Sequence, residues 1–155
     1  MLTGMGKKLL YGVGGAILLG ALAFAYYAIS PLFINIKVDE QAPISEESAQ
    51  TPDEIVANVV DTPAHPASGT VRIVEADGRR YVRYENYKTI NGPDIFVYLA
   101  KDLDAKEFID LGRVKATEGN INYEIPAGVD AAEYRYVLTW CRAFGVLFNY
   151  ADISA

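Results

Sequence analysis

Length, composition and charge limit this chain to one small domain and exclude one class of partner. Its 155 residues suffice for a single hydrophobic core. Three of its 14 Lys and Arg residues, Lys7, Lys8 and Lys37, belong to the N-terminal segment, so 11 basic residues remain against all 20 acids. An acidic domain repels a phosphate backbone, so we expect no nucleic acid as a partner.

The N-terminus carries one long apolar segment. Residues 9–36 contain no charged residue, whereas about 20 apolar residues suffice to cross a bilayer. We therefore predict a cytoplasmic N-terminus at residues 1–8 and a transmembrane helix with its exit at residues 9–36. Lys7 and Lys8 precede the helix and the flank after Lys37 is acidic, so the positive-inside rule predicts an extracytoplasmic C-terminal domain. The expected location is the cell membrane, as a single-pass protein with the lipid bilayer as a partner.

A cleaved signal peptide is the alternative interpretation of this segment. The residues Ala23-Phe24-Ala25 have the small-x-small form of a cleavage site. The apolar core of a signal peptide is about 7–15 residues long, however, and this one continues past that site through Leu32 and Ile36. We predict that the helix is retained as an anchor.

An acidic linker rich in Pro and Ser is predicted at residues 37–67. Residues 38–68 contain no Lys or Arg and seven acids, namely Asp39, Glu40, Glu46, Glu47, Asp53, Glu54 and Asp61. Such a segment repels itself and extends. His65, the only histidine, has no second ligand near it in the sequence, so a metal site there is not expected.

The folded domain is predicted at residues 68–155. Two β-rich runs, residues 70–76 and 79–88, flank the turn dipeptide Asp77-Gly78, which indicates a hairpin. Further β-branched and aromatic runs occupy residues 95–99, 108–114, 122–125, 134–141 and 146–153. Several runs are apolar on both faces, as in sheets that are covered on each side. We predict an all-β fold, an antiparallel, jelly-roll-like β-sandwich preceded by one transmembrane α-helix.

The residue sets of the common catalytic sites are missing from the sequence. It has no second histidine, no Gly-rich phosphate loop, no nucleophile elbow and no Cys-x-x-Cys-His haem motif. A stand-alone enzyme is therefore not expected. One acidic stretch suggests calcium but lacks the EF-hand spacing; its acids are Asp102, Asp104, Glu107 and Asp110.

Cys141 is the only cysteine, so the chain cannot form an intramolecular disulfide. A redox thiol, a cofactor ligand, a cross-link to another chain and a small buried apolar residue all remain open. Side chains alternate along a strand, which predicts Cys141 on one face with Val137 and Thr139, and Trp140 with Arg142 on the other. Arg142 is therefore not expected to activate the thiol.

Five short motifs in one order resemble the DM13 family. They are Asn91-Gly92-Pro93-Asp94, Asp110-Leu111-Gly112, Gly119-Asn120-Ile121-Asn122-Tyr123, Ile125-Pro126 and Trp140-Cys141-Arg142-Ala143-Phe144. The resemblance covers about residues 68–155. It implies a role in electron transfer centred on Cys141, either as a bare thiol or as the ligand of a group such as haem. It also implies a membrane or cell-surface redox protein as a partner.

The other motif residues have structural interpretations. We expect Gly92 to adopt a positive φ before Pro93 in a tight connection. Asn120 and Asn122 are expected to hydrogen-bond loop backbone, and Trp140 and Phe144 to lie in the core. The alternative function is a non-catalytic binding or adhesion module for protein, glycan or calcium, in which Cys141 is structural.

Overall fold

A computed structural model describes residues 4–43 and 56–154 of the chain. It begins with helix α1, Gly4–Ile29, which continues into a 3₁₀ turn at Ser30–Phe33 with Pro31 in its first turn. Within the described residues, one helix is long and apolar enough to cross a membrane, over Lys8–Phe33, and none of that span is buried in the protein. By length and composition it corresponds to the predicted segment, residues 9–36.

Nine strands follow in the described residues, with a second 3₁₀ turn, Ala131–Glu133, before the eighth. They are β1 (Lys37–Asp39), β2 (Val56–Asp61), β3 (Ala67–Ala76), β4 (Arg79–Thr89), β5 (Ile95–Ala100), β6 (Phe108–Arg113), β7 (Glu118–Ile125), β8 (Tyr136–Cys141) and β9 (Val146–Asp152). One curled sheet contains all of them in the order β1-β7-β4-β3-β2-β9-β8-β5-β6. Neighbouring strands are antiparallel except β1 and β7, which are parallel. The prediction of an all-β domain preceded by one helix is confirmed.

Strand β2 joins the two layers of the sheet. Its first half, from Val56, pairs with β3, and its second half, from Val59, pairs with β9. The sheet therefore folds over at β2, and apolar side chains of both halves meet between the layers. This buried core includes Val71, Val82 and Ile121 from one layer and Val97, Leu99 and Val137 from the other. Removal of these side chains from water is the main force that closes the sandwich.

The predicted hairpin between β3 and β4 is present. Asp77 has a φ of 53° and Gly78 a φ of 70°. Positive φ at both central residues is the geometry of a type I′ turn, whose twist matches that of the flanking strands. The turn pairs Ala76 with Arg79 and sets the register of the hairpin.

The sandwich includes parts of the segment that was predicted as a linker. Strands β1 and β2 lie within residues 37–67, while residues 44–55 lie outside the described residues. β1 approaches β7 at Gly119, where a Cβ atom would lie 1.8 Å from the carbonyl oxygen of Val38. The absence of a side chain at Gly119 is thus what allows the two strands to pair.

The chain leaves α1 and enters the sandwich at one end, which we call the helix end. This end is formed by residues 91–94, 114–118 and the turn at residues 142–145. Asn91 Nδ2 donates to the carbonyl oxygen of Ile34, 3.0 Å away, and Thr117 Oγ1 accepts from Ile36 N at 2.9 Å.

The opposite end, or far end, carries the turn at Asp77 and residues 126–128. Only three residues separate the 3₁₀ turn from β1, so the helix is attached by a short connection.

Candidate functional site

Cys141 is the last residue of β8 and points into the sandwich. It lies between β5 and β9, paired with Ile95 on one side and Val146 on the other. The residue is 1% exposed, and its side chain packs in a small cluster with Ile95 and Phe148. The partly buried side chains of Ile90 and Val114 complete that cluster. Apolar side chains therefore enclose the sulfur in the folded state.

Phe148 links Cys141 to two residues that are distant in the sequence. The His65 imidazole stacks on its ring, with centroids 4.0 Å apart. A Cβ atom at Gly92 would lie 2.9 Å from Phe148 Cζ, so only glycine leaves room for this ring. Gly92 does not adopt a positive φ. The predicted reason for this glycine was wrong, since close packing against Phe148 is what requires it.

His65 is held at the surface side of this cluster. Its Nδ1 atom lies 2.8 Å from Thr62 Oγ1, and partial burial lowers the pKa of the imidazole from its ordinary value. A lower pKa keeps the ring neutral at pH 7 and so compatible with stacking on Phe148. The lone histidine and the lone cysteine thus belong to one packed unit, with Phe148 as their common neighbour.

Two of the predicted motifs meet at the helix end. Arg142 N donates to the carbonyl oxygen of Asp94 at 2.9 Å, which joins the 91–94 motif to the turn after β8. The Asp94 carboxylate pairs with Arg113 at 2.7 Å. Asn91 accepts from Gly92 N with its Oδ1 and donates to the exit segment with its Nδ2. These bonds close the sandwich directly beside Cys141.

The side chain of Arg142 points away from the thiol. Its Nε donates to Tyr98 Oη at 2.9 Å, and its guanidinium lies 3.5 Å from the centroid of the Phe96 ring. Hydrogen bonds with Tyr98 and Asp110 raise the pKa of Arg142 further. The charge is therefore fixed on the outer face of β8, and the predicted separation of Arg142 from Cys141 is confirmed.

Trp140 also lies on the outer face of its layer and not in the core between the layers. It is partly buried in a layer of aromatic and apolar side chains around Tyr98, Ala100 and Leu138, which includes Phe96, Leu103, Ala105, Tyr136, Leu147 and Tyr150. The rings of Tyr136 and Tyr150 meet edge to face at 6.0 Å. Trp140 was predicted to be core; it packs against this second apolar cluster and not between the layers, because the alternation along β8 puts it on the face opposite to Cys141.

Phe144 was also predicted to be core and is instead 47% exposed. It lies in the turn between β8 and β9, where its ring meets that of Phe24 from α1. The ring centroids are 6.2 Å apart and the planes are at 87°. The side chain thus bridges the turn and the apolar helix.

The remaining predicted residues are on β7, in the other layer, where Asn120 and Asn122 hold the segment around β1. Asn120 donates to Asp39 at 2.7 Å and accepts from the backbone of Asn86, and Asn122 donates to the carbonyl oxygen of Gln41. Both asparagines form hydrogen bonds with backbone groups, as predicted, but they do so from strand β7. Tyr123 is buried, which raises the pKa of its hydroxyl, and it accepts from Lys115 N. Gly119, Asn120 and Asn122 thus serve the attachment of β1, and Tyr123 lies in the core between the layers; none of them belongs to the cluster around Cys141.

A buried polar network next to Cys141 could not be recognised in the sequence. Tyr87 Oη lies 2.9 Å from Thr139 Oγ1 and donates to Asn149 Oδ1 at 3.3 Å. Asn149 Nδ2 in turn donates to Thr89 Oγ1 at 3.0 Å. Burial raises the pKa of Tyr87, so its hydroxyl stays protonated and available as a donor. Three different strands supply these groups, and only the fold brings them together.

The acidic loop has protein partners for its carboxylates. Asp102 accepts from the backbone of Asp104 and Lys106, and the side chains of Asp104, Glu107 and Asp110 pair with Lys106, Lys101 and Arg142. Within residues 4–43 and 56–154, no group of three His, Cys, Asp or Glu side chains is arranged to hold a metal ion. The loop acids are thus occupied by internal bonds.

A haem does not fit around Cys141 in this structure. Sites for cofactors of that size are cavities of about 300–1,000 Å³, whereas the sulfur is enclosed by packed side chains. One pocket, of about 160 Å³, lies at the far end between Gly78 and Gly128. The packing therefore does not support a haem that is bound through Cys141.

A family model described as electron transfer DM13 matches residues 59–153, which is more than half of the chain. The chain belongs to the DM13 family. The DM13 match begins inside β2 and ends just after β9, so it covers most of both layers but not α1 or β1. It starts before residue 68, in accord with the place of β2 in the sandwich. Searches of curated proteins and of solved structures each found no significant match.

Proposed function

We propose that this DM13 protein is a membrane-anchored, extracytoplasmic electron-transfer module of the cell membrane. The match to a family described as electron transfer carries the proposal. The unburied apolar span Lys8–Phe33 serves as its anchor, and Lys7 and Lys8 keep the N-terminus in the cytoplasm. Its electron partner is a membrane or cell-surface redox protein.

Cys141 is the proposed interior redox group, and it acts by single electrons. Disulfide chemistry needs a second sulfur in contact with the thiolate. Cys141 is the only cysteine and is 1% exposed, so in the folded state no sulfur of another molecule reaches it. One-electron oxidation of the thiol gives a thiyl radical: the electron passes to the oxidised partner, and the proton passes to water that reaches the sulfur when the cluster around Cys141 opens transiently. This route needs no direct contact between the partner and the sulfur.

Trp140 is the proposed surface end of this route. It is bonded to Cys141 through one peptide unit, and its indole lies on the outer face of β8 while the thiol lies on the inner face. The rate of electron tunnelling falls steeply with distance. The indole of Trp140 and the thiol of Cys141 are separated only by the thickness of one strand, which favours transfer between them. The partly buried ring of Tyr150 belongs to the same cluster as the indole and adds to the surface through which an electron can enter.

Flash oxidation of Trp140 tests this route. A photogenerated ruthenium(III) polypyridyl complex oxidises the indole, and transient absorption follows the tryptophan radical, which comes from Trp140 alone because the chain has one Trp. We expect a shorter lifetime of the tryptophan radical in the wild type than in Cys141→Ala, because the thiol donates an electron to the oxidised indole. Ile95→Val is the matched control, since it removes one methyl from the same cluster and keeps the sulfur. Equal lifetimes in the wild type and Cys141→Ala would rule out Cys141 as part of the route.

The second candidate is a membrane-tethered binding or adhesion module in which Cys141 is structural. The observation that favours it is the close packing of Cys141 against Ile95 and Phe148, which is typical of a small core residue. In that case Cys141→Ala lowers stability and leaves the radical lifetime unchanged. The same flash experiment therefore separates the two functions.

A further inference from the structure

The turn between β8 and β9 presents an apolar tip at the helix end. Phe144 is 47% exposed and Val146, just after it, is 36% exposed, while the flanking Ala143 and Gly145 carry no polar group. Turn tips are usually built from Gly, Pro, Asn, Asp and Ser. Phe144 and Val146 together give this tip an apolar surface, which Phe24 covers only in part.

The contact with α1 gives the depth of this tip relative to a membrane. The Phe144 ring meets Phe24, which lies inside the apolar span Lys8–Phe33. Tyr26 and Tyr27 follow Phe24 and suit the aromatic belt at the membrane interface. With about 1.5 Å of rise per residue, Phe24 lies about 3 Å closer to the membrane centre than Tyr26. A bilayer that covers the two tyrosines therefore reaches Phe144 as well.

The attachment of the domain to the helix keeps the tip in that place. Bonds from Asn91 to Ile34 and between Thr117 and Ile36 fix the exit segment on the helix end. Three cations there are neutralised, because Lys37 pairs with Glu118, Arg113 with Asp94 and Arg142 with Asp110. The chain has a net charge of −6, yet these three pairs add no net charge where the domain faces the lipid headgroups.

We infer that Phe144 inserts into the interface of the same bilayer that α1 crosses, so that the domain rests on the lipid surface with its helix end down. The inference rests on the anchored arrangement of the proposed function. It makes the segment around Trp140 and Cys141 the membrane-facing part of the DM13 domain. An electron partner embedded in the same membrane then meets the domain at this end.

Depth-dependent quenching by lipid tests the inference on the full-length chain. The chain is reconstituted in phosphatidylcholine vesicles whose lipids carry bromine high on the acyl chain. A single tryptophan is placed at the tip by Trp140→Phe with Phe144→Trp. The matched control is Trp140→Phe with Ala127→Trp, which places the indole at an exposed position of the far end. We expect at least a twofold loss of fluorescence and a blue-shifted emission for the first variant, and neither for the control.

Each outcome of this experiment decides the inference. If Phe144→Trp emits like the Ala127→Trp control and is not quenched, the insertion is wrong even when the chain floats with the vesicles. If the chain does not float with the vesicles after alkaline carbonate washing, the anchor itself fails and the inference fails with it. Circular dichroism spectra that match the wild type show that both tryptophan variants have the native fold.

Discussion

The imidazole of His65 lies parallel to the ring of Phe148, with centroids 4.0 Å apart and an interplanar angle of 16°. Phe148 also packs against Cys141, so the only histidine stacks on a direct neighbour of the only cysteine. The protonation of His65 is therefore coupled to the packing that encloses the thiol.

We predict that the protein loses stability as the pH falls from about 7 towards 5.5. Burial lowers the pKa of His65 below its ordinary value of about 6.5. The unfolded chain then binds the proton at a higher pH than the folded one does, so stability is full above the ordinary pKa and falls as the pH drops through it. Thermal melts between pH 5.5 and 8 measure this loss. His65→Phe keeps the stack and should remove the loss; the same slope in both proteins would contradict the coupling.

We predict that Gly119→Ala releases β1 from the sheet. A Cβ atom there would lie 1.8 Å from the carbonyl oxygen of Val38, and the backbone has a φ of 123°. Gly128→Ala is the control, because Gly128 also has a positive φ of 84° but no atom within 4 Å. A non-glycine residue at positive φ costs about 1–2 kcal/mol, so both variants lose that much and only Gly119→Ala loses more. Faster tryptic cleavage at Lys37 in Gly119→Ala alone reports the release, and equal cleavage in both variants argues against it.

We predict that Phe148→Ala destabilises the domain by about 3–5 kcal/mol, as is usual for a large buried aromatic residue. Phe148 is 5% exposed and supports Cys141, Ile95 and the His65 ring. Phe144→Ala, on the exposed tip, should change stability by less than about 0.5 kcal/mol when measured in detergent. Chemical unfolding of the two variants makes the comparison. Similar losses in both would mean that Phe148 is not central to the packing at the helix end.

We predict that Tyr87→Phe costs about 1–3 kcal/mol, because it leaves buried polar groups of Thr139 and Asn149 with fewer partners. Tyr136→Phe, on the outer face, is the control and should change stability by less than about 0.5 kcal/mol. Urea unfolding followed by circular dichroism gives both values. A neutral Tyr87→Phe would show that the buried network contributes no stability.

Local sequence signals predicted the parts of the fold that depend on neighbouring residues. The dipeptide Asp77-Gly78 predicted the hairpin because its turn geometry is a property of those two residues. Alternation along β8 placed Trp140 and Cys141 on opposite faces, because the period of a strand is two residues. Such signals do not require knowledge of which strands are partners.

The features that the sequence did not reveal depend on long-range contacts. Strand β1 has three residues and pairs with β7, and the bond between Ile36 and Thr117 spans 81 residues. No periodicity can be read from so short a strand. Phe144 was predicted as core because it is aromatic, whereas it lies in the turn after β8, and its aromatic contact there is with Phe24 of α1, 120 residues earlier in the chain. Likewise, the requirement for glycine at position 92 comes from Phe148, on a different strand.

The accessibility of the Cys141 thiol tests the central claim, that any redox chemistry at this residue in the folded state proceeds without direct contact to the sulfur. The full-length protein in vesicles is treated with a small maleimide, and labelling is followed by mass spectrometry alongside hydrogen exchange. The packing around Cys141 predicts that labelling proceeds only as fast as the domain opens, and that an oxidant yields no disulfide-linked dimer. Rapid, complete labelling of a domain whose strands stay protected from exchange would contradict the account.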